Sequence, residues 1–336
     1  MKRAAVLFAA LLIGLLAGSS ASGQDAVPLF RTTTELVLLD VQVVHRKTRT
    51  SAPPLQQQHF QIYEDDVLQE IRTFSRDELP LSVVLLFDLT DTSRPVLRRL
   101  ANSTKTMLTH LKPQDEVAVM VYAAFTKLVG DFTTDREQTR KDIDKAAGMR
   151  EIMVPAFFNE AVYQAAMQLR KNNNSGRRVI LWLTDNLSTL PDSANQARYR
   201  RLSPGWIAHT EEEAVRALHE SGVTVAPLLL EDPAAVAGTM LRRAVDSMFY
   251  RYAPPGDARK YAEWTGGQAL PYDGNDVDGR MAQIVDELRS RYTIGYQPIQ
   301  QRPAGVFCKV RVVLAPEGPL RLQEWNVLAP AGYYRK

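Results

Sequence analysis

One cysteine, Cys308, is all the thiol chemistry in a chain of 336 residues. A single thiol makes no intramolecular disulfide and excludes a cysteine-built zinc cluster. It opens the alternating run Cys308-Lys309-Val310-Arg311-Val312-Val313, so a buried strand position is expected rather than a reactive group. The histidines (His45, His59, His110, His209 and His219) have no metal-ligand spacing and are expected at the surface. A charge excess of either sign is also missing: the formal net charge is +3, and part of that is Lys2 and Arg3 at the N-terminus. A near-neutral chain lacks the basic footprint that nucleic acid requires. Arg98-Arg99 and Arg198-Tyr199-Arg200-Arg201 are short enough to be solvated faces. There is no Gly-x-Gly-x-x-Gly, no phosphate-binding P-loop and no Gly-x-Ser-x-Gly elbow. Internal repeats and low-complexity tracts are absent too.

What is present begins with a leader. Lys2-Arg3 precedes an uncharged apolar stretch from Ala4 to Gly18, followed by Ser19-Ser20-Ala21-Ser22-Gly23. That order of charged, apolar and small residues predicts a signal peptide over 1–23, cleaved near Gly23. The stretch is short for a membrane span, which needs ~20 residues, and no later segment is long and apolar enough for one. No cysteine follows the leader, so a lipid anchor is not expected. An uncleaved anchor is the alternative. The expected location is the periplasm or the exterior. The 45% hydrophobic and 24% charged content is enough for real cores.

After the leader, Leu36–Val44 is β-rich, and Phe60-Gln61-Ile62-Tyr63 and Ile71-Arg72-Thr73-Phe74 alternate as half-buried strands do. Asp65-Asp66 reads as the turn between them. At Pro80 the pattern changes. Ser82–Phe87, Val117–Tyr122, Arg178–Leu183 and Val223–Leu230 are near-continuous apolar runs, the mark of strands covered on both faces. Helical patterns separate them: one from Arg94 with apolar positions Val96, Leu97, Leu100, Met107, Leu108 and Leu111, then 135–147, 159–169, 210–221 with Gly222 as its C′ residue, and 277–291. Alternation of this kind predicts a doubly wound, mostly parallel α/β sheet. From Tyr292 the chain returns to β, with strands over 307–314 and 320–327 around the turn Pro316-Glu317-Gly318-Pro319. The tail is too short to fold alone, so it is expected to complete one small all-β sandwich with the N-terminal strands. The predicted organisation is 24–79 and 292–336 as the two parts of the sandwich, with 80–291 as the α/β domain.

In an open parallel sheet, ligands bind outside the carboxyl ends of the strands. Two runs end there in aspartate: Phe87 is followed by Asp88-Leu89-Thr90-Asp91-Thr92, and Leu183 by Thr184-Asp185-Asn186. Carboxylate and hydroxyl oxygens suit a hard divalent cation such as Mg²⁺ or Mn²⁺. The alternative is that Asp88 or Thr92 merely caps the helix from Arg94.

This strand-end pattern resembles the metal-ion-dependent adhesion site of von Willebrand factor A domains, Asp-x-Ser-x-Ser followed by a later Thr-Asp-Gly. Phe30–Leu38, Phe60–Asp65, Leu79–Asp88, Gly266-Gly267-Gln268-Ala269, Glu287–Pro298 and Phe307–Val312 are similar to exported von Willebrand A-related proteins abundant in Acidobacteria. The resemblance covers nearly all of the mature chain. It implies metal ligation by Asp88, Thr90, Thr92 and Asp185, with one position left for a carboxylate of a partner protein. The chain departs from the pattern at several points. Threonines replace both serines, Ala156 stands where a ligating threonine belongs, Asn186 replaces the glycine, and Ser188 replaces an acid. Ala156 has no oxygen to offer.

Three functions stay open on these residues: a metal-assisted protein-binding module, a metal-free scaffold with a vestigial site, and, from another class, a metal-dependent secreted hydrolase. No nucleophile–base pair is legible, and Thr90 stands where an Asp-x-Asp phosphatase needs its acid, so a non-enzymatic role is expected. The connection 188–206, with Tyr199, Trp206 and several arginines, is a candidate contact loop. The partner's identity and the oligomeric state are not legible.

Overall fold

The computed structural model of the chain describes residues 36–76, 79–90, 93–123, 125–149, 156–172, 174, 176–186, 209–230, 258–272 and 277–336. The expected signal peptide, Thr92 and the loop 188–206 lie outside the described residues. Four strands come first: Val37–His45 (β1), Phe60–Glu64 (β2), Val67–Gln69 (β3) and Ile71–Ser75 (β4). Next are Leu81–Asp88 (β5), Arg94–Met107 (α1), Glu116–Tyr122 (β6), Thr126–Thr133 (β7), Arg136–Gly148 (α2), Phe158–Lys171 (α3) and Arg177–Thr184 (β8). They are followed by Glu211–Ser221 (α4), Val223–Leu230 (β9), Ala258–Thr265 (α5), Leu270–Tyr272 (β10) and Val277–Arg289 (α6). The chain closes with Tyr292–Tyr296 (β11), Phe307–Leu314 (β12), Trp325–Leu328 (β13) and Gly332–Tyr334 (β14).

The apolar runs form the central sheet, in the order β10-β9-β8-β5-β6-β7. All pairings are parallel except that of β7, which returns antiparallel along β6. β5 is buried at every position, as its unbroken hydrophobicity requires. Its side chains alternate between two cores. Leu81, Val83, Leu85 and Phe87 pack with α1, α2 and α6 on one face. Val84 and Leu86 pack with α3, α4 and α5 on the other. Helical layers on both faces make this a doubly wound, mostly parallel arrangement.

The two chain ends build the rest. β1 pairs antiparallel with β11 and β13, and β4 adds to β11. β2 pairs with β12, flanked by β3 and β14. The two sheets stack because their inward-facing apolar side chains meet: Leu39 and Val41 of β1, Ile62 of β2, Ile294 of β11 and Val312 of β12 share one core. Cys308 is buried in β12, as expected. Asp65 and Asp66 turn β2 into β3 with positive φ values of 46° and 65°, a conformation aspartate tolerates through its short polar side chain.

Some boundaries moved for physical reasons. The strand expected over 320–327 forms only from Trp325, after a short 3₁₀ turn at Leu322–Glu324. The helix expected to run to Arg291 ends at Arg289, and Arg291 turns inward. Its Nε lies 2.7 Å from Asp40 Oδ2 on β1, and its Nη2 donates to the Gly266 carbonyl at 2.6 Å. Arg177 Nε, at the start of β8, takes the other Asp40 oxygen at 2.9 Å. One sandwich carboxylate therefore ties down two arginines from the base of the α/β sheet. Gly267 lets this loop run close along β9, because a Cβ there would sit 1.9 Å from the Val225 carbonyl oxygen.

Candidate metal centre

The register of three strands assembles the site. Asp88 ends β5 directly opposite Tyr122, which ends β6. On the other side Phe87 pairs with Leu183, so Thr184 arrives beside Asp88. Alternation sends Asp88, Tyr122, Trp182 and Thr184 to the face covered by α3 and α5, where Trp182 and Tyr122 are fully buried.

Asp88, only 1% exposed, accepts four hydrogen bonds from its own chain. Oδ1 takes the Thr90 backbone N–H at 2.9 Å and the Thr90 hydroxyl at 2.7 Å. Oδ2 takes the Tyr122 hydroxyl at 2.8 Å and the Thr184 hydroxyl at 3.0 Å. Each of these last two donors is itself held. Trp182 Nε1 donates to the Tyr122 oxygen at 3.0 Å, and the Asn186 N–H donates to Thr184 Oγ1 at 3.0 Å. Burial pushes the Asp88 carboxyl above its ordinary value, and the bonds from Thr90, Tyr122 and Thr184 oppose the shift. Burial, reinforced by the Asp88 charge, pushes the Tyr122 phenol well above its ordinary value, so it remains a donor.

A carboxylate has about four lone-pair positions in all. At Asp88 every one is filled by a protein donor, which leaves none for a cation or a cation-bound water. Ala156, in the place of a ligating threonine, is fully buried in the apolar cluster of Tyr122, Phe158 and Trp182. Aromatic rings floor this edge: Phe158 and Trp182 centroids are 4.7 Å apart, and Tyr261 stands 5.7 Å from Trp182. Two features favour a cation. Asp185 is buried nearby at the end of β8, and the Ser93 hydroxyl is buried with no partner among the described residues. A hard divalent ion depends on charged oxygen, however, and the charge that reaches this edge from β5 is already engaged. Among the described residues, Asp88 as it is paired here offers no open acceptor position to Mg²⁺ or Mn²⁺.

Asp88, Thr90 and Asp185 thus lie at one sheet edge as the sequence predicts, although Asp88 caps no helix: Ser93 is the N-cap of α1. Asn186 has a left-handed backbone, with φ 61°, and its Oδ1 accepts the Ala258 N–H at 2.8 Å, fastening β8 to the start of α5. Sequence reasoning missed Tyr122 and Trp182. The same rule that picked out the aspartates, attention to what ends each strand, applies equally to Tyr122. His110 is exposed as expected, and the other four histidines are partly buried. His209 Nδ1 contacts Glu160 Oε2 at 2.7 Å beside α3, and His219 packs edge-on against Phe307 at 5.4 Å.

In sequence, no family profile and no functionally described protein matches the chain. In structure it is similar to BatB, a conserved hypothetical protein from Bacteroides thetaiotaomicron, at 14% identity over 62% of this chain and 98% of that one, TM-score 0.43. It is similar to the von Willebrand factor domain of the pilus tip protein Mfa5 from Porphyromonas gingivalis at 10% identity, covering 62% and 95%, TM-score 0.41. A von Willebrand factor type A protein from Catenulispora acidiphila matches at 11% identity over 90% of this chain and 75% of that one, TM-score 0.42. The sheet order and the two helical layers, rather than these likenesses, define the fold, and a fold does not carry function with it. No helix among the described residues is long and apolar enough to cross a membrane.

Proposed function

We propose that this chain is an exported, non-enzymatic protein-binding module of the von Willebrand A-related type, and that its strand-end edge works without a metal ion. One observation carries the second half: all four acceptor positions of Asp88 are taken by Thr90, Tyr122 and Thr184. The Asp88 carboxylate and its donors make a paired polar floor over aromatic packing. Buried networks in which every group is paired hold one geometry. Beside it Phe125 is 45% exposed at the β6–β7 turn, and aromatic groups of this kind anchor protein interfaces. The export half rests on the leader expected over 1–23.

A second reading, docking of a partner carboxylate through a cation on Asp88, Thr90, Thr92 and Asp185, draws on the unpartnered Ser93 hydroxyl. The two separate in one experiment. The mature chain is immobilised, and proteins it retains from the exported fraction of its own cells are compared in EDTA and in Mg²⁺. Retention that is equal in both supports the metal-free module. Retention lost in EDTA and restored by Mg²⁺ overturns it. Phosphoester turnover abolished by Asp88→Asn would revive the hydrolase.

A further inference from the structure

The turn after β1 lies beside the joint where Asp40 of the sandwich holds Arg177 and Arg291 of the α/β sheet. Ser51, which closes the turn, shares a hydrogen bond with Ser290 at 2.7 Å. The turn reads His45-Arg46-Lys47-Thr48-Arg49-Thr50, and no acidic residue occurs between Asp40 and Glu64. Residues 46–50 are exposed one after another, which makes the turn a convex tip. Among the described residues, Arg46, Lys47 and Arg49 have no carboxylate partner. Surface arginines elsewhere do: Arg72 meets Glu70, Arg170 meets Glu220 and Arg302 meets Asp65, at 2.8–3.2 Å.

Like charges crowded into one turn repel one another, so the backbone has to be held. The His45 N–H donates to the Thr50 carbonyl at 2.8 Å, and the Arg49 N–H to the His45 carbonyl at 2.9 Å. The Thr48 N–H donates to His45 Nδ1 at 3.2 Å. The Arg46 N–H donates to the Glu324 carbonyl at 2.8 Å, and its Nε to the Trp325 carbonyl at 3.2 Å. Arg49 has a φ of 61°, a left-handed conformation that glycine or asparagine adopts with less strain. A cation therefore stands where backbone geometry alone would favour a smaller residue. Apolar groups lie beside the cations. β13 pairs with the end of β1, His45 opposite Trp325, and the two rings meet edge-on at 5.2 Å. Just before Trp325, the short turn Leu322–Glu324 leaves Leu322 39% exposed.

We propose that the turn carrying Arg46, Lys47 and Arg49, with Leu322 and Trp325 beside it, is a docking surface for a bilayer rich in anionic phospholipid. Three uncommitted cations match headgroup phosphates, and a leucine and a half-buried tryptophan suit the interface between headgroups and chains. A convex tip can rest on a flat anionic surface, whereas a bound peptide or small anion needs a groove or convergent donors. The proposal stands apart from the strand-end edge and holds with or without a metal there.

Co-sedimentation of the mature chain with vesicles tests it, using phosphatidylglycerol mixed with phosphatidylcholine, and phosphatidylcholine alone. The chain should bind the first and not the second, and should be released at about 1 M salt, where charges are screened within about 3 Å. The turn variant combines Arg46→Gln, Lys47→Gln and Arg49→Asn, the last because asparagine tolerates the left-handed backbone. It should bind on the order of a hundredfold more weakly, since each cation near an anionic surface contributes roughly fivefold. A control combining Lys127→Gln, Lys141→Gln and Lys309→Gln removes the same charge from β7, α2 and β12 and should bind nearly as the wild type does. Equal binding to both vesicles, no binding to either, or a turn variant no weaker than the control overturns the proposal. So does displacement from the anionic vesicles by inorganic phosphate at constant ionic strength, which would make the turn a site for a soluble anion. Should the turn variant fail to fold, Lys47→Glu alone, at an exposed side chain, decides. Weakened binding supports the docking surface, and unchanged binding overturns it.

Discussion

Removing a single oxygen, in Tyr122→Phe, tests how the strand-end edge is held. The phenol donates to Asp88 Oδ2 at 2.8 Å and accepts from Trp182 Nε1 at 3.0 Å, so the variant breaks two buried bonds without opening a cavity. A hydrogen bond to a charged group contributes about 1.5–3 kcal/mol. Leaving the Trp182 N–H buried and unpaired costs about 1–3 kcal/mol more. The expected loss is about 3–5 kcal/mol, a large part of the roughly 5–15 kcal/mol that holds a domain folded. Urea unfolding followed by tryptophan fluorescence measures it, since Trp182 is fully buried. The variant also frees one acceptor position on Asp88, so Mg²⁺ should raise its unfolding midpoint while leaving the wild type unmoved. A loss under about 1 kcal/mol, smaller than one bond to a charge contributes, would refute the claim that Tyr122 holds Asp88. So would a wild type that Mg²⁺ stabilises more than it stabilises the variant.

Other predictions concern the joint and the packing around it. Arg291→Ala strips a fully buried guanidinium from Asp40 and should cost about 3–5 kcal/mol in urea unfolding, because Asp40 loses one of its two arginines. Ala156→Thr, which restores the missing hydroxyl, should lower stability by about 1–3 kcal/mol through overpacking and gain no cation response by itself, both readable in thermal melts with and without Mg²⁺. The pH dependence has two opposed parts. Glu287 is raised from 4.5 to about 7, so the stability it confers is fully present below pH 4.5 and is lost as pH rises to about 7, by up to about 3 kcal/mol. Burial lowers His219 from 6.5 to about 4, so its contribution is present above pH 6.5 and is lost as pH falls toward 4, by a similar amount. Across the overlap the two slopes offset in the wild type. Glu287→Gln should therefore expose a stability that climbs with pH between about 4 and 6.5 in urea melts, and an unchanged flat profile would contradict both assignments.

Much of this molecule is legible in its sequence because a few physical signals are strong. Unbroken apolar runs such as Leu81–Phe87 require cover on both faces, and the return of the chain to alternating strands after Tyr292 leaves it no partner but the N-terminal β segment. The antiparallel β7, with none of its residues buried and a bulged register against β6, carries no such signal, and α5 and the three-residue β10 are too short to have a period. At the site, the strand-end position of Asp88 and Asp185 follows from the order of runs and loops. The saturation of Asp88 does not, because it depends on register: Tyr122 and Thr184 flank Asp88 only once β6 and β8 are aligned on β5. The inward turn of Arg291 is hidden for a similar reason, since its partner Asp40 lies 251 residues away in the chain, the separation at which its Nη2 meets the Asp40 carbonyl.

Calorimetric titration of the mature chain with Mn²⁺ and with Mg²⁺, beside Asp88→Ala, tests the metal-free edge most directly. The account predicts no saturable heat from the wild type and no difference between the two proteins. Saturable one-to-one binding by the wild type that Asp88→Ala abolishes would contradict it, and would show that a cation displaces the Tyr122 or Thr184 hydroxyl from Asp88.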